Sequence, residues 1–232
     1  GKWVFTLSKP SWIPFLQFSE RRDLREKIYT AYLNRGNNGN EHDNKALFIE
    51  LMLLRRQMAE MLGYQNYAEY FISEQMAETP RNVYDFLYKL WEPSLERAKQ
   101  ERDDMQAIID REGGDYKLAS WDWWYYAEKV RDEQFDFNQD EIKPYLSITQ
   151  VREGIFTLTR NLYGLTFIKR DDVPVYHSEV EAFEVSDKDG SLLGLLYMDP
   201  YARPGKRSGA WCGAYRAGSW EKDERIVPIV TI

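Results

Sequence analysis

The chain has 232 residues, of which 43% are hydrophobic and 15% aromatic, so it suits a folded protein with a sizeable core rather than a disordered one. Its net charge of −7, with Lys and Arg spread along the sequence, repels a phosphate backbone and excludes nucleic acid as an expected partner. The longest apolar stretch, Ala46 to Leu54, is too short to cross a bilayer and is interrupted by Glu50, so no membrane partner is expected. The one cysteine, Cys212, excludes an internal disulfide, which favours a cytoplasmic location and leaves a periplasmic one open.

Helical spacing of apolar residues dominates residues 1–164 and predicts a helical region. The predicted helices are Glu20–Leu33 with Ser19 as its N-cap, Asn44–Leu62, a shorter helix from Asn66 as N-cap through Met76, Pro80 to about Arg111, Trp121–Gln134, and Thr149–Tyr163. Thr79-Pro80 begins the longest of them, because proline suits the first helical position, and Pro93 inside it predicts a kink. Gly164 is expected to end the last helix.

Alternating apolar residues replace the helical pattern in residues 165–232 and predict a strand-rich region. The predicted strands are Leu165–Ile168, Val180–Val185, Leu192–Met198, Ser208–Tyr215 and Ile226–Ile232, with a hairpin turn at Asp187–Gly190. The predicted fold is therefore mainly α with a small C-terminal antiparallel β region. Because the run 226–232 lacks a polar flank, we expect it to pack under a further part of the protein and the isolated chain to expose an apolar patch.

Few residues have the usual features of a catalytic or metal site. His42 lies in a Gly/Asn-rich loop and His177 in a connecting segment, and neither belongs to an H-E-x-x-H pair, so both are interpreted as surface or structural residues. Cys212 has no histidine near it in sequence that could activate the thiol. The acidic pairs Asp103-Asp104 and Asp171-Asp172 are interpreted as solvated charge.

The segment Trp121–Glu128 carries aromatic residues on more than one helical face, which is typical of a buried helix. We therefore predict a central core helix. The alternative is that one edge of it lines a substrate cleft, with Tyr125 or Tyr126 offering a hydroxyl group.

The segment Gly194–Trp211 combines a strand, a Pro/Gly turn with three cationic residues, and a second strand that begins with small residues. By itself it is interpreted as a hairpin with a basic turn. The alternative is an edge strand on which an extended peptide adds by backbone pairing, since small side chains let another backbone approach.

The same segment resembles a sequence pattern of the zinc peptidases that include thimet oligopeptidase, oligopeptidase A and bacterial peptidyl-dipeptidase. The pattern G-x-x-Y-x-D-x-x-x-R-x-G-K-R-x-G-A-W is matched by Gly194, Tyr197, Asp199, Arg203, Gly205, Lys206, Arg207, Gly209, Ala210 and Trp211. Further similar stretches are Arg22–Glu26, Leu54–Tyr64, Trp121-Asp122 with Tyr125-Tyr126, Tyr145-Leu146 and Val151–Phe156. The resemblance covers nearly the whole chain and is strongest to the peptidyl-dipeptidase branch.

This resemblance implies a zincin-type, neurolysin-like helical fold and a role in hydrolysing peptide bonds of short peptides. The family's zinc ligands lie in an H-E-x-x-H helix and a downstream glutamate, which this chain lacks. The resemblance therefore assigns no catalytic or metal-binding residue here, places zinc in the full-length enzyme, and predicts that this chain alone is inactive. It does suggest substrate-binding residues, namely Gly209, Ala210, Trp211, Tyr197, Arg203 and Arg207.

The expected partners are short peptide substrates and a C-terminal catalytic part that follows this chain, which itself would contribute a wall of the cleft. One alternative is a helical peptide-binding or scaffold module without chemistry. Another is half of a split enzyme whose partner supplies the zinc site.

Overall fold

The computed structural model describes residues 2–135, 139–207 and 209–232. The chain forms two compact units, Gly1–Phe137 and Asn138–Ile232. Its helices end at Tyr163 and its sheet begins at Thr166, close to the predicted change of pattern at residue 164. The compact units divide earlier than that change, because the last helix packs on the sheet through the stacked rings of Phe156 and Phe167, whose centroids are 4.1 Å apart.

The first unit is helical. Its helices are α1 (Lys9–Phe18), α2 (Arg22–Leu33), α3 (Lys45–Met61), α4 (Tyr67–Ile72), α5 (Pro80–Arg111) and α6 (Trp123–Phe135). The predicted N-cap Asn66 is confirmed, because its side chain accepts a hydrogen bond from the Glu69 amide at 3.0 Å. The predicted start of α5 at Thr79-Pro80 is also confirmed, and there the Thr79 side chain accepts a hydrogen bond from the Asn82 amide at 3.2 Å. Helix α4 is shorter than predicted and ends at Ile72 rather than Met76.

Helix α1 was not predicted, because Pro10 and Pro14 lie within it and proline inside a segment usually argues against a helix. Its presence also makes the predicted role of Ser19 wrong. Ser19 ends α1, where its amide donates to the Phe15 carbonyl, and Arg21 is the residue that precedes α2. A serine between two apolar segments is therefore a helix end here rather than a helix start.

The core of the first unit lies between α5 and α6. Its buried residues are Met105, Ile108 and Ile109 from α5 and Tyr126 from α6. The prediction that the aromatic segment forms a core helix is confirmed by this packing. The Tyr126 hydroxyl lies 2.6 Å from the Tyr116 hydroxyl, and burial, with a smaller contribution from that hydrogen bond, raises the pKa of Tyr126 above its usual range.

A charged cluster lies beside this core, just before α6. Asp122 is fully buried and accepts hydrogen bonds from Arg22 at 2.9 Å and from Arg25 at 2.8 Å. Arg25 is 1% exposed, and its guanidinium also donates to the Ser19 carbonyl at 2.7 Å. The Arg25 guanidinium lies over the Tyr125 ring at 4.3 Å, so the cluster ties α2 to α6.

The second unit combines helices with a mixed sheet. Its elements are α7 (Gln139–Ile142), a 3₁₀ turn (Lys143–Tyr145), α8 (Ile148–Tyr163), β1 (Thr166–Lys169), β2 (Glu181–Ser186), β3 (Leu192–Met198), β4 (Gly213–Arg216), β5 (Ser219–Glu221), β6 (Glu224–Ile226) and β7 (Ile229–Thr231). Strand order in the main sheet is β1-β2-β3-β7-β4, and β5 pairs with β6 in a separate hairpin. The predicted fold class, mainly α with a small C-terminal β region, is confirmed, although β3 and β7 run parallel.

The predicted strand Ile226–Ile232 is two strands in the structure. Strand β6 ends at Ile226, and β7 lies between β3 and β4 with both of its edges paired. The approach of β7 to β3 requires Gly194, because a Cβ atom there would lie 2.7 Å from the Pro228 carbonyl oxygen. Residues 229–231 are therefore an internal strand of the sheet and not the exposed apolar patch that we expected.

Exposed apolar side chains lie instead on the helices. On α3 they include Leu47, Phe48, Ile49, Leu51, Leu53 and Leu54, and on α5 they include Phe86, Leu87, Leu90 and Trp91. Within the described ranges, no helix is both long enough and apolar enough to span a membrane.

Candidate functional site

The candidate site is the turn that follows β3, together with the strand β4 to which it leads. Asp199 stands directly after β3, and its side chain is 8% exposed. Its two carboxylate oxygens accept hydrogen bonds from the Arg203 guanidinium at 2.6 and 2.8 Å, which is a bidentate pair across one turn of chain. The two residues are four positions apart, and Pro200 directly after Asp199 favours a turn of the chain between them.

Two further donors complete the surroundings of Asp199. The Lys206 ammonium lies 3.2 Å from its Oδ1 and also donates to the carbonyl oxygens of Asp199 and Tyr201 at 2.5 and 2.7 Å. The Tyr176 hydroxyl donates to Asp199 Oδ2 at 3.0 Å. These hydrogen bonds, with the Arg203 pair as the largest contribution, hold the pKa of the Asp199 carboxyl far below its usual range.

Three tyrosine side chains lie together beside Asp199, namely Tyr176 from the loop before β2, Tyr197 from β3 and Tyr215 from β4. The Tyr215 ring packs edge-on against Tyr176 and Tyr197, with centroid distances of 6.4 and 6.1 Å. Tyr197 is buried in β3, and its hydroxyl donates to the Pro174 carbonyl at 3.0 Å. Burial and the hydrogen bond to Asp199 raise the pKa of Tyr176, so its hydroxyl remains a neutral donor.

The predicted strand from Ser208 to Tyr215 begins later in the structure. Strand β4 starts at Gly213, Gly209-Ala210-Trp211 form an irregular lead-in to it, and Ser208 lies outside the described residues. The physical reason is the backbone of Gly209, whose φ of +119° is a conformation that breaks a regular strand and favours glycine.

Strand β4 is nevertheless an edge strand of the sheet, as the alternative of peptide pairing requires. It pairs with β7 along one edge, from Gly213 opposite Thr231 to Arg216 opposite Ile229. No strand of the described ranges pairs with its other edge, so the main-chain groups of that edge have no sheet partner. A Cβ atom on Gly213 would lie 3.3 Å from the Trp211 ring, so the glycine lets this indole lie against the start of the strand.

The three cations of the turn have different environments. Arg203 and Lys206 both pair with Asp199, which engages their donor groups within the turn, although the three side chains together keep one positive charge. Arg207 is exposed, and no carboxylate in the part of the chain that the structure describes pairs with it. Of the six predicted substrate-binding residues, the structure therefore places Gly209, Ala210, Trp211 and Arg207 at the surface, and Tyr197 and Arg203 in internal contacts.

The other candidates from the sequence lie apart from this site. His42 and Glu41 are both exposed, 3.6 Å apart, and the ring of His177 accepts a hydrogen bond from the Glu179 amide at 3.2 Å. Asp172 forms a bidentate pair with Arg170 at the surface, which lowers the pKa of its carboxyl to about 2. In the described ranges, no three or more His, Cys, Asp or Glu side chains are grouped so as to hold a metal ion.

Three residues of the site were not predicted as functional. Asp199 stood within the matched pattern, where an acidic residue four positions before an arginine was a usable signal. Tyr176 and Tyr215 had no such signal, because their contacts join segments that are far apart in sequence.

Comparison of the whole sequence with known proteins identifies relatives among the peptidases. Residues 15–232 match the profile of Peptidase family M3. The chain is 36% identical over 227 residues to a dipeptidyl carboxypeptidase of Salmonella typhimurium, which covers 97% of this chain and 33% of that protein. It is 35% identical over 215 residues to organellar oligopeptidase A of Arabidopsis thaliana, with 91% of this chain and 27% of that protein covered.

A third relative, oligopeptidase A of Escherichia coli, is 34% identical over 213 residues, which cover 90% of this chain and 31% of that protein. The chain thus spans about a third of the length of the curated relatives it matches. Since the family profile covers nearly all of its residues, including the turn at Asp199 and strand β4, the chain belongs to Peptidase family M3.

Proposed function

We propose that this chain is part of a zinc-dependent oligopeptidase of the peptidyl-dipeptidase type that hydrolyses peptide bonds of short peptides. Within it, the second unit contributes a wall of the substrate cleft. The observation that carries the proposal is the free edge of β4, which is preceded by small residues and lies beside a turn held by ion pairs. The names of the matched relatives, dipeptidyl carboxypeptidase and oligopeptidase A, favour peptides as the ligands.

Backbone pairing is the role that we assign to β4. An extended peptide adds to a free strand edge through main-chain hydrogen bonds, which are the same for every sequence. Binding of this kind suits an enzyme that accepts many short peptides. The small residues Gly209, Ala210 and Gly213 leave room for the approaching backbone, and Trp211, which is 61% exposed, offers a ring for a substrate side chain.

Arg207 is the cation that we assign to a substrate carboxylate. It is exposed, precedes β4 by six residues in the chain and, unlike Arg203, has no carboxylate partner in the described ranges. A guanidinium binds a carboxylate in a bidentate manner, so it would favour a peptide with a free C-terminus over an amidated one.

The zinc of the proposed enzyme is not assigned to this part of the chain. In such peptidases zinc polarises the scissile carbonyl and activates water. The described residues do not fit a zinc site, because their histidines are paired with surface groups and no cluster of metal-ligating side chains occurs among them. We therefore assign no catalytic step to any residue of this chain, and we propose that the chain by itself binds peptides without cleaving them.

The test compares this chain alone with the complete polypeptide that contains it. An internally quenched short peptide is incubated with each, with and without 1,10-phenanthroline. We expect cleavage by the complete polypeptide, loss of that cleavage with the chelator, and none by the chain alone. Cleavage that survives the chelator would contradict the zinc peptidase.

A variant with a matched control tests the role of Arg207 in the same assay. Arg207→Ala should raise KM for a peptide with a free carboxyl terminus and leave KM for its amidated form unchanged. Arg225→Ala, an exposed arginine on the β5–β6 hairpin, is the control. If the complete polypeptide binds peptides but shows no cleavage with zinc present, the non-catalytic peptide-binding module becomes the better description.

A further inference from the structure

Asp199 contacts several segments of the second unit besides the turn that it begins. Its carboxylate receives Arg203 and Lys206 from the turn and Tyr176 from the loop before β2. Its backbone amide donates to the Ile232 carbonyl at 2.9 Å, just after β7. Through its carboxylate, Asp199 therefore connects the end of β3, the turn and a distant loop, and through its backbone amide it contacts the end of the strand next to β4.

Two routes lead from Asp199 to the free edge. The side-chain route passes from the Tyr176 hydroxyl bond to the ring contact between Tyr176 and Tyr215, and Tyr215 lies in β4. The main-chain route passes from Asp199 to Ile232 and then through β7, which is hydrogen-bonded to β4. Strand β4 has only one neighbouring strand among the described residues, so these contacts are a large part of what holds it in place.

The pairing between β4 and β7 needs such support because it is irregular. Its register shifts between Ala214 and Arg216, which makes Tyr215 the additional residue of a bulge. A bulged residue has no opposite partner in the ladder, so the direction of the strand there depends on its side-chain contacts. For Tyr215 these contacts are the rings of Tyr176 and Tyr197.

We infer that Asp199 is the positioning residue of the peptide-pairing edge, acting on β4 through Tyr176 and Tyr215 and through the end of β7. This inference rests on the proposed function, since it assigns a cause to the geometry of the edge on which the peptide would pair. Asp199 touches no substrate in this scheme. It determines whether the main-chain groups of β4 are aligned for a second backbone.

The surface pair Asp172–Arg170 supplies a matched control. It is bidentate with similar distances, 2.8 and 2.7 Å, and lies in the same unit. Unlike Asp199, Asp172 is 67% exposed. Asp172→Asn therefore removes the same kind of ion pair without touching β4.

The experiment is a titration of the isotope-labelled chain with a short unstructured peptide of alanine, glycine, valine and phenylalanine residues with a free carboxyl terminus. Amide shifts of Gly213–Arg216 report binding, and hydrogen exchange of the same amides reports the order of the edge. We expect Asp199→Asn to weaken binding at least about tenfold, because a charge-assisted pair and its linked contacts are lost. Tyr176→Phe should weaken it about three- to tenfold, and Asp172→Asn should leave it unchanged.

The exchange data separate positioning from general stability. In Asp199→Asn and Tyr176→Phe, exchange should rise at β4 while the amides paired between β1 and β2 keep their protection. If the original chain binds the peptide and both variants bind it equally well, the inference is wrong and the proposed function stands. If the original chain shows no shifts at β4, the proposed pairing edge itself is wrong. Tyr176→Phe removes a single hydroxyl, so it decides the inference even if Asp199→Asn fails to fold.

Discussion

Replacing Asp122 by alanine should destabilise the first unit more than any surface substitution. The change leaves Arg25, which is 1% exposed, without its carboxylate and without a route to water. Arg22 is less affected, because 35% of its side chain is exposed and it can turn towards solvent. The loss in free energy of unfolding is therefore determined mainly by the one buried guanidinium, that of Arg25.

Removing one partner of a buried ion pair costs about 3–5 kcal/mol. Part of the Arg25 charge stays compensated by the Tyr125 ring at 4.3 Å and by the Ser19 carbonyl at 2.7 Å, which favours the lower end of that range. For a chain of this size a loss of about 3 kcal/mol lowers Tm by roughly 6–12 °C.

The assay is urea unfolding followed by tryptophan fluorescence, since Trp12, Trp121, Trp123 and Trp124 all lie in this unit. Asp103→Ala on α5 is the control, because Asp103 pairs with Arg102 at the surface and should change stability by less than about 0.5 kcal/mol. Adding Arg25→Met to Asp122→Ala should recover much of the loss, since no unpaired charge then remains buried. A loss below about 1 kcal/mol for Asp122→Ala, or no recovery in the double variant, would refute this reasoning.

Three further outcomes are expected. The folded-state pKa of Asp199 is depressed, so its contribution to stability is complete above the unfolded pKa of about 3.9 and is lost as pH falls towards the folded value. The Tm difference between the original chain and Asp199→Asn should thus be constant at pH 5–8 and shrink below pH 4; a constant difference throughout would contradict the assignment. Gly154→Ala inside α8, where an added Cβ meets nothing within 4 Å, should stabilise the chain by about 0.5–1 kcal/mol in urea unfolding, whereas Gly209→Ala, at φ +119°, should destabilise it. The exposed apolar faces of α3 and α5 should make the isolated chain associate, and purely monomeric sedimentation at high concentration would argue against this.

Much of the local structure could be predicted because its causes lie within a few residues. Thr79 and Pro80 begin α5 through a side-chain cap and a fixed φ, and Gly164 ends α8 with a φ of +77°. Strand β3 was predicted with its observed bounds, Leu192–Met198, since its apolar residues occupy both faces of the sheet. These signals need no knowledge of the tertiary structure.

The errors arose where local preference fits two outcomes equally well, and one of them was decided by a neighbour distant in sequence. The run 226–232 was predicted as one strand that packs under a further part of the protein, yet Gly194 lets Pro228 approach β3 and places β7 inside the sheet. Strand β4 was predicted five residues too early at Ser208, because small residues fit a strand as well as they fit the turn at Gly209. Neither choice can be made from local preference alone.

The sequence by itself determined the family and the fold class, and it predicts where the candidate site lies. A spaced pattern such as that from Gly194 to Trp211 is a property of residue order and needs no structure to be recognised. Tertiary structure alone decided which residues of that pattern remain available to a ligand. Arg203 and Arg207 cannot be distinguished by charge in the sequence. In the structure, β3 and β7 position Asp199 so that it forms an ion pair with Arg203 and not with Arg207. The physical reason is that an ion pair depends on distance and burial, and both are set by contacts between segments far apart in the chain.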